Sequence, residues 1–297
     1  MATIAAELRE ALSTAERISS SELRSGFAAS AAAIEHLEIH VLDRLRYLRE
    51  RAELPAELLG LEKEARRFLG RLEAAEKSVI DGLRRDIKRG PHSPATLRQA
   101  LLDHSGPSTL KDGYDALDLL VAGLLDAGAP AMERRSREPE MVFYQPTPAR
   151  AILAMIEGAG IGPRDRFYDL GSGLGQVVIL TALLTGARAR GIEIEPAYCV
   201  YARRSARRLG ASGVEIVNAD ARQASLAGGT VFYLYTPFKG EMLAQVLRRL
   251  EAVAMEGPIR ICTFGPCGVE LSRLPWLEPL NGGPRDEGKI AFFRSLE

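Results

Sequence analysis

The residues best suited to chemistry lie in one short stretch, Asp169-Leu-Gly-Ser-Gly-Leu-Gly175, a D-x-G-x-G-x-G sequence. Glycine at 171, 173 and 175 lets the main chain approach a bound molecule with no Cβ in the way. Ser172 sits inside this loop and Gln176 directly after it. Two further acids end apolar runs: Glu193 in GIEI, and Asp220 in NAD with Ala221 behind it. A carboxylate at Glu193 can accept hydrogen bonds from both hydroxyls of a ribose, and one at Asp220 from an adenine amino group. The constellation reads as a site for an adenosine-bearing cofactor.

Such a site needs strands that end at the acids and a helix that starts after the glycines. The sequence predicts strands at 166–170, 188–194, 214–220, 230–235 and 259–264, and helices at 149–158, 175–185, 196–209 and 240–254. That alternation is the signature of a mostly parallel sheet covered on both faces. WLEPL, a Gly- and Pro-containing turn and KIAFFRSL close the sequence as a final β-hairpin.

Spacing separates two cofactors that use this device. In a G-x-G-x-x-G dinucleotide fingerprint the position taken here by Gln176 must be small, so the pyrophosphate of NAD would meet a larger side chain. An acid at 169 would also lie near those phosphates, whereas it suits the cationic methionine end of S-adenosylmethionine (SAM).

YDLGSGLGQVVI, GIEI and NAD resemble motifs I to III of the class I SAM-dependent methyltransferases, over about residues 141–297. The resemblance implies an α/β, Rossmann-like, seven-stranded sheet with its seventh strand inserted antiparallel, SAM as cofactor and S-adenosylhomocysteine (SAH) as product. GSGLGQVV is similar in particular to the disruptor-of-telomeric-silencing type of histone lysine methyltransferase. After its fourth strand that family places Asn-Asn-Phe-Ala-Phe, where this chain has Leu234-Tyr-Thr-Pro-Phe238, and its basic nucleosome-binding segments have no evident counterpart. A histone acceptor is therefore not carried over. Tyr144-Gln-Pro-Thr-Pro148 looks like the segment that closes over the methionine end in such enzymes, which puts Tyr144 and Thr147 at the cofactor. Thr147 is expected to cap the following helix, with Pro148 at its first position.

Methyl transfer from a sulfonium is an in-line displacement, and the protein aligns the partners and excludes water. A substrate entering over the carboxyl ends of the strands meets Tyr235, Thr236, Pro237 and Phe238, with Tyr144 and Tyr235 as the candidate catalytic residues. The expected function is methylation of an N or O nucleophile of a small molecule. The competing readings are a protein lysine methyltransferase and a non-catalytic SAM-fold binding protein. All four histidines, His36, His40, His92 and His104, lie in the first half. A histidine base would come from there, and His92 and His104 flank the junction. His36 and His40 share a helix face and read as a packing or solvated pair rather than metal ligands, and no Cys/His cluster has metal-ligand spacing.

Residues 1–140 form a helical N-terminal domain rich in Ala, Leu, Glu and Arg, acting as substrate lid, dimer interface or both, and residues 141–297 form the SAM-binding domain. Apolar residues recur at three- and four-residue steps from about Ala5 to Lys88, and Pro55 divides two long helices that fold back as a hairpin. Shorter helices are expected at 94–103 and 114–126. Arg203, Arg204, Arg207 and Arg208 read as a solvated helix face. Lys and Arg balance Asp and Glu at 39 each, which disfavours nucleic acid as the main partner. Three cysteines are too few for a disulfide framework, and no run of about 18 apolar residues suggests a membrane span. A cytoplasmic location is the expectation.

Overall fold

The computed structural model describes residues 2–21, 26–90, 93–106, 113–126, 128, 138–142, 144–280 and 288–296. It divides into two compact units, one of residues 1–90 and 98–124, the other of 91–97 and 125–297.

The first unit is helical: α1 (Ala2–Ser19), α2 (Gly26–Leu37), α3 (Asp43–Arg49), α4 (Ala56–Arg89), most of α5 (Pro94–Ser105) and most of α6 (Ala116–Leu125). A wider π turn over Glu38–Leu42 joins α2 to α3 without a break. The expected long first helix is thus interrupted at an extra place, after Ser19. There the Ser19 hydroxyl bonds the Glu16 carbonyl at 2.8 Å, a local side-chain bond of the kind serine forms at helix ends. The apolar stripes meet in one core, in which Leu8, Leu37, Val41, Leu45, Leu58 and Phe68 are buried. Glu62, buried beside this core, is held by Arg49 and by Arg66, which satisfies a charge that would otherwise be costly to bury.

The second unit is an α/β sandwich. Its seven strands are β1 (Arg166–Leu170), β2 (Arg188–Glu193), β3 (Val214–Asn218), β4 (Val231–Leu234), β5 (Arg260–Thr263), β6 (Leu277–Pro279) and β7 (Ala291–Ser295). They lie in the order β3-β2-β1-β4-β5-β7-β6. The first five are parallel, and β7 runs antiparallel between β5 and β6. The final hairpin is therefore present, its turn at 281–287 falling outside the described residues. Helices α7 (Ala149–Gly158), α8 (Gln176–Thr185), α9 (Pro196–Leu209), α10 (Gly240–Ala254) and α11 (Cys267–Leu271) fill the connections.

Strands buried on both faces read as near-continuous apolar runs, and VFYL of β4 is buried at all four positions. α8 and α9 pack on β1, β2 and β3, while Leu243, Val246 and Leu250 of α10 pack with Phe232, Leu234 and Ile261 in one core. The start of α9 is specified locally: Pro196 takes the first turn and Glu195 caps it, accepting the Ala197 amide at 3.1 Å. α9 is not a uniformly solvated arginine face, since Arg203 donates to the Ile216 carbonyl and Arg208 to that of Asp126. No described helix is long and apolar enough to cross a membrane.

Candidate active site

A cleft lies over the carboxyl ends of the parallel strands, where open α/β sheets bind ligands. It gathers every candidate cofactor and acceptor residue except Gly175: Tyr144 and Thr147, then Asp169, Gly171, Ser172, Gly173, Gln176, Glu193, Asp220 and Ala221, then Tyr235 to Phe238. Gly175 packs beneath, with the Cβ of Ala202 2.7 Å from where its own would stand. Gly171 backs onto Pro237 in the same way.

The glycine loop is held from β2. Glu193 accepts the Gly173 amide at 2.8 Å through Oε2 and the Glu195 amide at 2.7 Å through Oε1. Burial, the largest influence, still lifts its pKa above the ordinary carboxylate range, and these amide bonds oppose the rise. Each oxygen keeps a lone pair for a further donor. At Gly173, φ is +52°, and a Cβ would run into the ring of Tyr144. Tyr144 in turn meets Tyr198 at 5.4 Å between ring centroids.

Asp169 is 3% exposed and accepts no hydrogen bond from any described residue. Burial first, and then the neighbouring charge of Glu193, push its pKa well up. Such a carboxyl facing a cleft is set for a cation, because only a positive group offsets its desolvation. Ser172 Oγ is likewise buried without a partner among the described residues.

Thr147 does not cap α7. The cap position is Pro148, and the Thr147 hydroxyl instead meets Tyr233 Oη at 2.8 Å. The reason is tertiary: β4 lies beside β1, which brings Tyr233 next to Asp169 and under the segment that enters α7. Gln176 completes this floor by donating to the Thr147 carbonyl at 3.1 Å.

Asp220 is gripped by Arg222, whose Nη2 donates to it at 2.6 Å and to Glu138 at 2.7 Å. Glu138 opens a strap that runs along the segment after β4, with Met141 bridging Phe238 and the Lys239 amide bonding the Glu140 carbonyl at 3.1 Å. Glu140 also accepts the Met242 amide at 2.8 Å, satisfying a free donor at the start of α10.

Past β4, Tyr235 sits edge-on to Phe264 at 4.7 Å, and Phe238 is buried. Thr236 has φ +37°, an outlier for a β-branched residue. Its hydroxyl donates to the Phe264 carbonyl at 3.1 Å and accepts the Cys267 amide, so it serves the turn as well as the cleft. Residue types alone did not reveal Tyr198, Glu195, Met141 or Met242 as cleft residues. For Tyr198 a signal was present, an aromatic in the first turn of the helix that follows Glu193. Among the described residues no histidine lines the cleft; His104 lies on α5 in the helical unit, and His92 falls outside the described residues. The rings of His36 and His40 meet at 4.4 Å, tilted by 42°, in the same unit.

The strand order with its inserted antiparallel strand, and the glycines and acids gathered at one cleft, define a class I, Rossmann-like SAM-dependent methyltransferase. Residues 141–219 match the family model described as histone methylation protein DOT1. No curated protein matches the chain. Among solved structures, an RNA methyltransferase from Salinibacter ruber in complex with SAH is 29% identical, over 51% of this chain and 92% of that one, with a TM-score of 0.39. The putative methyltransferase yhhF from Escherichia coli is 20% identical over 54% and 91% of the two chains, with a TM-score of 0.42. A SAM-dependent methyltransferase from Thiobacillus denitrificans in complex with SAH is 21% identical over 40% of this chain, at a TM-score of 0.34, and the chain spans 50% of its length.

Proposed function

We propose that the enzyme methylates an N or O nucleophile of a small, uncharged molecule with an apolar or aromatic body. The observation that carries this reading is how the cleft divides its charge. Asp169, Glu193, Glu195 and Asp220 lie at or just past the carboxyl ends of β1, β2 and β3, whereas the segment after β4 presents Tyr235, Thr236, Pro237 and Phe238 with Met141 and Met242 beside them. An apolar wall with no carboxylate favours a neutral acceptor over a lysine ammonium, whose charge would be desolvated without compensation.

The residues present fit SAM. Asp169 would hold a positively charged group, Glu193 would accept from hydroxyls with the lone pairs its amide bonds leave, and Asp220 with Ala221 would receive the base. When bound, SAM supplies a methyl group activated by a sulfonium. Tyr144 and Tyr235 both line the cleft, and around a bound cofactor their rings would help exclude water and limit the directions from which an acceptor can approach. An acceptor nitrogen that is already neutral in water would need no base, which suits a cleft with no histidine among its described residues.

Protein lysine methylation is the second reading, and the DOT1 match favours it. That match ends at residue 219, before the acceptor segment 235–238, so its support bears on the cofactor half. Transfer of labelled methyl from SAM into a lysate of the source organism, fractionated into metabolites and protein, separates the two. Label in the metabolite pool supports the proposal. Label on protein overturns it in favour of the second reading, and label in neither pool points to a binding protein without catalysis.

A further inference from the structure

The amino ends of β1 and β2, opposite the cofactor cleft, carry a cluster of arginines. Arg166 on β1 and Arg188 on β2 are partners in register, as are Tyr168 and Arg190 two residues further along. Residues in register on neighbouring strands share a face, and those strands lie ~4.8 Å apart. Both arginines stand at the strands' amino ends, away from the cofactor cleft. The connection from β3 to β4 contains no helix, so this part of the face is left with a shallow depression. Arg166, Arg188 and Arg190 line it together with Tyr168, Glu215 and Ala227.

Three guanidiniums therefore face one carboxylate. Glu215 is taken by Arg190 at 2.8 Å, and Arg190 also donates to the Tyr168 hydroxyl at 3.0 Å. Arg166 and Arg188 make no side-chain hydrogen bond or ion pair with any described residue, although like charges directly opposed across two strands destabilise a sheet. Arg166 is nonetheless given a shaped place. Gly228 at φ +70° passes over it, and a Cβ there would stand 2.7 Å from its Nη1. The loop is built around a guanidinium that no described side chain pairs.

We propose that this depression binds a small phosphate-bearing anion. Two adjacent forks with the Tyr168–Arg190 pair behind them suit the several oxygens of a phosphate or polyphosphate, which arginine engages bidentately. The balanced charge of the whole chain argues for a discrete anion over an extended nucleic-acid strand, because a strand needs a long basic track to neutralise successive phosphates. A bound anion removes the Arg166–Arg188 repulsion and so stabilises the second unit.

Calorimetric titration with inorganic pyrophosphate at fixed ionic strength, on wild type and on R166Q/R188Q, tests the site. Wild type is expected to bind, and the double variant to bind at least about tenfold more weakly. Both positions are exposed and the substitutions remove a repulsion, so the variant should keep the wild-type melting temperature or exceed it. R188Q alone gives the same test if the pair fails to fold. No binding by folded wild type at millimolar pyrophosphate overturns the proposal, as does equal binding by both proteins. Binding of a short single-stranded oligonucleotide without binding of pyrophosphate also overturns it.

Discussion

The carboxylate of Glu193 at the end of β2 accepts the amide of Gly173 at 2.8 Å, across 20 residues of sequence. The acid suited to a ribose thus also sets the conformation of the glycine loop. Glu193→Ala is expected to weaken SAH binding by one to two orders of magnitude, since hydrogen bonds to a charged group contribute about 1.5–3 kcal/mol. Glu193→Gln should lose less, because it keeps an acceptor oxygen. Calorimetry on both variants checks this, and unchanged affinity in Glu193→Ala would exclude the role.

Gly173→Ala addresses the other partner. At φ +52° an alanine costs roughly 1–2 kcal/mol in the left-handed region, and its methyl also displaces the Tyr144 ring. SAH affinity should fall. Adding Tyr144→Ala should relieve the collision but not the backbone strain, so a double-mutant cycle should show coupling between the two positions. Strict additivity would mean that ring and loop do not touch in solution.

Asp169→Asn should separate stability from binding. The pKa of Asp169 is raised by burial and by Glu193, so the ligand-free folded protein holds a proton more tightly than the unfolded chain does. Stability from this group is full below the ordinary aspartate pKa and is lost as pH rises through the raised value. The asparagine variant should therefore melt higher than wild type near neutral pH, with the gap closing in acid. It should bind SAH more weakly, and wild-type affinity should rise with pH as Asp169 ionises. A variant that melts lower than wild type at every pH would contradict this assignment.

Arg222 joins Asp220 to Glu138, a bond between the end of β3 and the strap. Its side chain is 22% exposed and that of Asp220 14%, against 42% for Glu138. Arg222→Ala is expected to weaken SAH binding by about tenfold through a freed, misplaced Asp220. Glu138→Gln should have a smaller effect that salt screens away. Titrations at low and high salt distinguish the two, and a Glu138→Gln loss that persists in high salt would count against the screened-pair account.

Much of the second unit was legible because its signals are local. α7, α9 and α10 begin and end where periodicity, Pro196 and the glycines that follow require, and the strands come within two residues of their expected ends. The helical unit was less legible. Its apolar stripes announce helices, but they do not mark the end of α1 at Ser19, and the unbroken π turn at Glu38–Leu42 leaves no mark in apolar spacing.

At the cleft the same division holds. Asp169, the glycines, Glu193 and Asp220 are readable because a strand, a tight loop and a helix made of consecutive residues force them to one end of the sheet. Thr147 meets Tyr233 across 86 residues, and Arg222 reaches Glu138 across 84. Tyr198 reaches Tyr144 only because α9 and the strap converge on one cleft. The sequence by itself determined the cofactor loop, whose geometry rests on backbone freedom and residue type within a few positions. Only the tertiary structure decided which side chains face that loop and which arginines stand side by side at the other end of its strands, because strand order and register set those contacts and no local pattern encodes them.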